Sequence, residues 1–253
     1  MPDERIDASQ TKTGTLMPHR HNPNQNRLLA ALPAHELKEL LPHLQVEHLK
    51  AGKQLAASGE RLSSVYFPID SAISLYYRLE NGESAGVAVV GNEGMFSVAQ
   101  VLGGGAIPYW ATVETSGHVF QVPVDILTLM NGRMPVFRNT LLLYAQASLT
   151  QISQAVVCEK HHSLNQQFCQ HLLLISDKAL SNDFRLTHEA IAHMLGVRRE
   201  SITEVAGELR NKGLIDYSRG HITVLNRPEL EKLCCECYGV VQEEFDRLFG
   251  GGS

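Results

Sequence analysis

The chain has 253 residues, 43% of them hydrophobic, with 22 Lys+Arg against 27 Asp+Glu. That length fits two domains with real cores and excludes wholesale disorder, and no run approaches the ~18 consecutive apolar residues of a membrane-spanning helix. The net charge of −5 argues at first against a nucleic-acid partner, yet residues 178–227 hold 8 basic and 6 acidic side chains while residues 28–135 hold 6 and 10.

Residues 1–27 are polar, rich in Asn, Thr, Pro and His, and carry no apolar period, which predicts a disordered arm. They lack the apolar core of a secretory signal, so a cytoplasmic location is expected. Leu28, Leu29, Leu32, Leu37, Leu40 and Leu41 recur at helical spacing, interrupted by Pro33 and Pro42. From about Val46 the period changes to two. Short segments follow at Val46–Leu49, Ser64–Phe67, Ala72–Tyr77, Gly86–Val90, Ala111–Val113 and His118–Val122, separated by turn residues. Asn81-Gly82 marks a hairpin, because a type I′ turn needs positive φ at both centres. These strands predict a β-roll of jelly-roll type over residues 28–134, in an α+β protein. Gly91, Gly94, Gly103, Gly104 and Gly105 suggest backbone wrapped closely around something.

Val124–Met130 reads as a short helix, and a long central helix is expected over residues 135–160. Along it Leu141, Ala145, Leu149, Ile152 and Val156 form a stripe as narrow as a coiled-coil seam. The stripe fits a homodimer seam; the other reading is a helix packed on its own domain.

Residues 161–233 switch to compact helices. Phe168, Leu172, Leu173 and Ile175 share a face. Thr187 is an N-cap candidate for a helix bearing Ala190, Ile191, Met194 and Leu195, closed by Gly196. Ile202, Val205, Ala206 and Leu209 line a second helix, closed by Gly213, and two strands joined through Ser218-Arg219-Gly220 follow. Helix, glycine turn, helix and hairpin make a winged helix-turn-helix. Its second helix would turn Arg198, Arg199, Glu200, Ser201, Thr203 and Glu204 toward bases, since Arg pairs bidentately with guanine and Glu accepts from the cytosine amino group. Thr187, His188, Lys212 and Arg219 suit phosphates. The same charges would also serve a solvated face, and winged helices also bind proteins. Two adjacent arginines at a helix N-terminus oppose the macrodipole, which favours an anionic partner.

The segment LTHEAIAHMLGVRRESITEVAGELRNKGLI, with RGHITV after it, resembles the DNA-binding helices and wing of the Crp/Fnr family. The resemblance covers about residues 28–233. It implies a cyclic-nucleotide-binding-like β-roll, a dimerising central helix, and a winged helix on a palindromic double-stranded operator, and leaves RNA polymerase open as a further partner. By that resemblance Arg199, Glu200 and Glu204 stand at base-reading positions; the cAMP-responsive members commonly carry Arg at the last of these, and their Ser or Thr N-cap is here Arg198. Their Gly-Glu ribose pair falls on Val98-Ala99, after the loop at Gly94, and their Arg-Ser-Ala phosphate segment on Tyr109-Trp110-Ala111. Of the two polar positions on the central helix that approach the base, Ile152 replaces one and Ser153 keeps the other. No Lys or Arg lies between positions 79 and 132. A cyclic nucleotide such as cAMP is therefore disfavoured, and Gly94, Ala99, Tyr109, Trp110 and Ser153 mark either a filled roll or a pocket for a more apolar effector. The effector, and any cofactor, stay open.

The family's iron-sulfur members use N-terminal cysteines, which this chain lacks. Its five are Cys158, with His161 and His162 at helical i+3 and i+4, then Cys169, and Cys234, Cys235 and Cys237 in CCECY. If these regions meet, they suit zinc or iron-sulfur ligation or a redox pair. Otherwise Cys158 and Cys169 are small buried hydrophobes, and the rest a free thiol cluster on a tail helix over residues 234–253. No nucleophile elbow, phosphate loop or paired catalytic carboxylates point to an enzyme. The reading is a Crp/Fnr-like regulator, with a winged-helix interaction adapter or a thiol redox sensor as alternatives.

Overall fold

A computed structural model describes residues 21–249. Most of the expected arm lies outside the described residues, but its last few do not behave as an arm. Pro23–Gln25 form a 3₁₀ turn closed by a capping box from Asn22. Asn26 is fully buried; its carbonyl oxygen accepts from Leu28 and Leu29 N–H, and its amide donates to the Pro68 and Gly94 carbonyls. A polar side chain with every bond made belongs to the core.

The first domain opens with α1 (Arg27–Ala30) and α2 (Ala34–Leu40). Seven strands follow: β1 (Gln45–Leu49), β2 (Gln54–Ala56), β3 (Ser64–Pro68), β4 (Ala72–Arg78), β5 (Ser84–Val90), β6 (Trp110–Thr115) and β7 (Gly117–Pro123). A one-turn helix, α3 (Val98–Val101), precedes β6, and α4 (Val124–Asn131) leads to α5 (Pro135–His161). Two antiparallel sheets, ordered β1-β7-β3 and β2-β6-β4-β5, make the expected roll. The β4–β5 hairpin turns through Gly82 at φ +89°, but Asn81 has no positive φ and the loop spans five residues between Arg78 and Ser84, so it is not the expected type I′ turn. Between the sheets Leu49, Ile73, Phe96, Ile107, Val113 and Val119 are buried to 1% exposure or less, while Val65, Phe67, Phe120 and Val122, on the other face of β3 and β7, are buried against α1, α4 and α5.

Helix α5 starts at Pro135, and its orphan N–H groups are met from outside. The buried Glu36 of α2 accepts from Val136 N–H at 3.0 Å and from Phe137 N–H at 2.7 Å, a carboxylate placed at the positive end of the helix dipole. By length and mean hydropathy α5 is apolar enough to cross a bilayer, which a search for consecutive apolar residues does not register. One face packs on the roll and the opposite face is exposed. Leu141 is fully buried in the first domain's core, so it does not belong to the seam. The exposed row is Leu142, Leu149, Ile152 and Val156, with half-buried Ala145 between the first two. Its steps of 3, 4, 3 and 4 are those of a heptad, one residue out of register at its start from the expected stripe.

After Ser163, which caps it with a capping box, comes α6 (Leu164–Ala179). Then follow β8 (Asp183–Arg185), α7 (His188–Leu195), α8 (Arg199–Asn211), β9 (Ile215–Ser218), β10 (His221–Val224) and α9 (Arg227–Leu233). The wing has three strands, β8-β10-β9. Its β9–β10 turn puts Arg219 and Gly220 at φ +49° and +79°, the type I′ pattern. The chain ends its described part in α10 (Cys237–Phe249). This is no free tail: Val241 and Phe245 are 3% exposed and sit in the first domain's core with Leu28, Leu29, Phe137 and Tyr144.

The two domains pack directly. Ala72, Tyr76 and Val89 of the roll share a core with Phe168, Leu172, Ile191 and Met194. Of the five expected close approaches, those at Gly91, Gly94 and Gly104 are real and protein fills them, whereas Gly103 has nothing within 4 Å and Gly105 only ordinary contact with Arg61. A Cβ on Gly91 would stand 2.3 Å from Lys178 Cβ of α6, and one on Gly94 would stand 2.2 Å from the Tyr144 ring of α5.

Candidate nucleic-acid interface

The second domain derives its geometry from local signals. Thr187 Oγ1 accepts from Ala190 N–H at 3.1 Å and starts α7, and Gly196 ends it at φ +63°, where a side chain would be strained. Arg198 is the N-cap of α8 and offers no side-chain cap, so its guanidinium is free to reach outward. Ile202, Val205, Ala206 and Leu209 bury one face of α8 in the domain core. The opposite face lies open as a shallow groove lined by Arg199, Glu200, Ser201, Thr203, Glu204 and Asn211. Arg198, Arg199, Glu200, Thr203 and Glu204 are exposed and Ser201 half-buried. Lys212, just after α8, and Arg219, at the wing tip, are exposed, as is Thr187.

His188 departs from its expected role. It is 7% exposed, stacks on Tyr217 with ring centroids 3.9 Å apart, and places Nδ1 3.1 Å from Thr203 Oγ1. Its Nε2 is buried without a partner. Burial, with the Arg199 guanidinium second, holds the imidazole below its usual pKa. His188 is thus a neutral packing element linking α7, α8 and the wing, and no phosphate ligand.

The five residues marked for an effector pocket do not converge. Tyr109 packs inside the roll beside Ile73, Phe96 and Ile107, and burial, with Tyr77 second, pushes its pKa up to about 12. Trp110 packs against the second domain's core, under the Arg78 guanidinium at 4.8 Å. Tyr109, just before β6, and Trp110, its first residue, thus join different cores and do not line one pocket. Gly94 underlies Tyr144, Ala99 sits on the one-turn α3, and Ser153 is exposed on the outer side of α5. The roll's interior is filled by its own side chains. A larger space of about 430 Å³ lies between the domains, lined by residues including Tyr76, Thr112, Glu114, Arg185, Glu189 and His193.

Sequence reasoning missed an ion pair and a histidine–carboxylate hydrogen bond across the domain interface. Lys178 of α6 pairs with Glu93 beside the Gly94 loop, and both side chains are at most 7% exposed. His171 of α6 places Nε2 2.6 Å from Glu114 Oε1 of β6, and Ser74 donates to the other oxygen. No sequence spacing announces either pair, because the partners lie 85 and 57 residues apart.

The cysteines fall into two groups. Cys158, Cys235 and Cys237 are buried together, and His162 joins them, all four ligand atoms lying within 4.8 Å of one another. Cys234 lines this cluster from the outside. Cys169 is buried in the second domain's core and His161 is exposed, so neither takes part. Burial, reinforced by the neighbouring thiols, pushes the Cys158 and Cys234 thiols up, and burial raises Cys237 as well. Cys169 is pushed up to about 11, chiefly by burial. With no cation bound, such thiols are protonated at neutral pH and poor nucleophiles.

Residues 166–233 match the Crp-like helix-turn-helix domain. Over 212 residues the chain is 27% identical to the global nitrogen regulator of Synechococcus elongatus, covering 80% of this chain and 95% of that protein. It is 22% identical to the fumarate and nitrate reduction regulatory protein of Escherichia coli over 212 residues, 80% of this chain and 84% of that one. Among solved structures it resembles a putative Crp/Fnr-family regulator from Eubacterium rectale, at TM-score 0.63 and 20% identity over 83% of this chain and 98% of that one. FixK2 from Bradyrhizobium japonicum superposes at TM-score 0.64 with 16% identity, over 76% of this chain and 98% of that one.

Proposed function

We propose that this chain, a DNA-binding transcription regulator of the Crp/Fnr type and not an enzyme, acts as a cytoplasmic homodimer on a palindromic operator, in concert with RNA polymerase. The observation that carries the reading is the open face of α8, where Arg198, Arg199, Glu200, Ser201, Thr203 and Glu204 project from a helix pinned by four buried residues on its other side. Arg199 suits a guanine, and Glu200 and Glu204 suit cytosine amino groups. Thr187, Lys212 and Arg219 border that face and suit backbone phosphates. The DNA-binding unit spans about residues 161–233.

Dimerisation follows from α5. Its exposed row at Leu142, Leu149, Ile152 and Val156 is apolar and in heptad register, and a second copy would bury it by knobs-into-holes packing. Paired α5 helices would present two α8 helices to half-sites one helical turn apart. Cyclic nucleotides are not the effector in this reading, because the roll is filled by its own side chains and Arg78, the guanidinium beside the Tyr109-Trp110 segment, lies stacked over Trp110. The test is selection of bound sites from random duplex DNA. Enrichment of an inverted repeat with half-sites about 10 base pairs apart supports the reading; absence of any enriched sequence, with retained protein dimers, supports an interaction adapter instead.

A further inference from the structure

The last turn of α5 and the link between α9 and α10 are more than seventy residues apart, yet they supply one compact group of donors. Cys158 Sγ lies 3.5 Å from Cys235 Sγ, and Cys237 Sγ lies 3.4 Å from His162 Nδ1. A tetrahedral ion with M–S near 2.3 Å and M–N near 2.0 Å holds its ligand atoms about 3.5–3.8 Å apart. These two pairs match that spacing, and all four ligand atoms lie within 4.8 Å of one another, close enough to converge on one ion. A polynuclear iron-sulfur cluster, whose ligand sulfurs sit on different irons, needs them farther apart.

The surroundings are those of a built site. The imidazole that turns Nδ1 to the sulfurs turns Nε2 to Glu236 Oε2, 3.2 Å away, the carboxylate contact that fixes tautomer and ring angle in metal-bound histidines. Gln154 donates an amide N–H to Cys237 Sγ at 3.1 Å, as suits a thiolate. Cys158 Sγ donates to Gln170 Oε1 at 2.9 Å, and a half-turn of that amide would present its nitrogen to a thiolate instead. Cys158 and His162 also stand at the C-terminal end of α5, where the helix dipole favours a cation.

We propose that Cys158, His162, Cys235 and Cys237 form a mononuclear site for a thiophilic divalent cation, zinc in the cell, that clamps the hinge between the central helix and the DNA-binding domain. The placement gives the clamp its meaning. Ser163, directly after the site, caps α6, and Cys237 begins α10, which runs back into the first domain's core. One ion would thus join the dimer helix, the exit from the DNA-binding domain and the helix that returns to the roll. It would fix the angle at which α8 is presented. The site is closed by four protein ligands, so its role is structural and not catalytic.

The test begins with the tag-free full chain purified under reducing conditions and assayed for metals. About one zinc per chain is expected, and Co²⁺ exchange should give the thiolate charge-transfer and ligand-field bands of a tetrahedral centre. Cys235→Ser and His162→Ala should lose the ion, whereas Cys169→Ser and Cys234→Ser should keep it. A wild-type chain that holds no zinc and takes up no Co²⁺ overturns the site, and so does recovery of a Cys158–Cys235 disulfide from alkylated cells. These measurements need no folded variant and no DNA. The clamp rests on the DNA-binding reading: chelation should weaken operator binding at least tenfold, with zinc restoring it. Unchanged affinity in the metal-free chain overturns the clamp while leaving the site.

Discussion

Replacing Lys178 with alanine tests how the two domains are held together. The ammonium meets Glu93 where the side chains are 5% and 7% exposed, and it also lies 5.4 Å over the Phe245 ring. Glu93 accepts one further bond, from Gly91 N–H at 3.1 Å. The Lys178 stem runs across Gly91, which has no Cβ to block it. Without the ammonium a buried carboxylate keeps one amide bond and no counter-charge. Breaking a buried pair from one side costs about 3–5 kcal/mol, since the survivor bears its full desolvation penalty. Lys178→Met with Glu93→Gln removes both charges at similar volume, and should recover most of the loss. Urea unfolding at neutral pH of Lys178→Ala, and of Lys178→Met, Glu93→Gln and their double for the cycle, gives the comparison. Because the pair spans the interface, hydrogen exchange should rise in α6 and α7 before it rises in β3, β4 and β7. A loss below about 1 kcal/mol for Lys178→Ala, against the 3–5 expected, would refute the reasoning. So would equal deprotection of those three strands.

Three other expectations follow. Arg199→Ala should cost about 1–3 kcal/mol of operator affinity by fluorescence anisotropy while the melting temperature holds, because the side chain is exposed and touches no core; retained sequence discrimination would remove Arg199 from the base-reading set. Leu149→Glu should convert dimer to monomer in sedimentation velocity without unfolding the chain, since Leu149 is 65% exposed; an unchanged dimer places the seam elsewhere. His188 and His193 are both held below their usual pKa, chiefly by burial. The unfolded chain therefore binds protons first as pH falls, and the contribution present above about pH 6.5 is lost as pH drops through the lower folded values. Thermal melts between pH 7.5 and 5.5 should show that decline, and a smaller one in His188→Phe, which keeps the stack on Tyr217; equal declines in both chains would exclude His188 as a source.

Local rules were sufficient for the two helices of the helix-turn-helix and the turns that end them. Thr187, Gly196 and Gly213 act within a turn of where they stand, so their neighbours in sequence reveal them. Long-range features behaved differently. Helix α5 is apolar on two faces, because it packs on β5 and α10 on one side and exposes a row on the other. Periodicity alone cannot tell which face a given leucine serves, hence Leu141 in place of Leu142. Gly91 and Gly94 signalled close approach correctly, but the approaching groups were Lys178 and Tyr144. His188 looked like a surface cation because its burial depends on Tyr217, 29 residues on. Cys158 and Cys235 meet only after two domains have folded around them.

The return of α10 to the first domain has a consequence for synthesis. Val241 and Phe245 fill a core whose other walls are Leu28, Leu29, Phe137 and Tyr144. Each such buried side chain contributes about 1.5–3 kcal/mol. The roll's strands emerge from the ribosome long before residue 241, and at about 5–20 residues per second they wait several seconds for their last wall. The first domain to be translated is thus among the last to be finished, and a chain cut short after α9 would carry its damage at the opposite end from the cut.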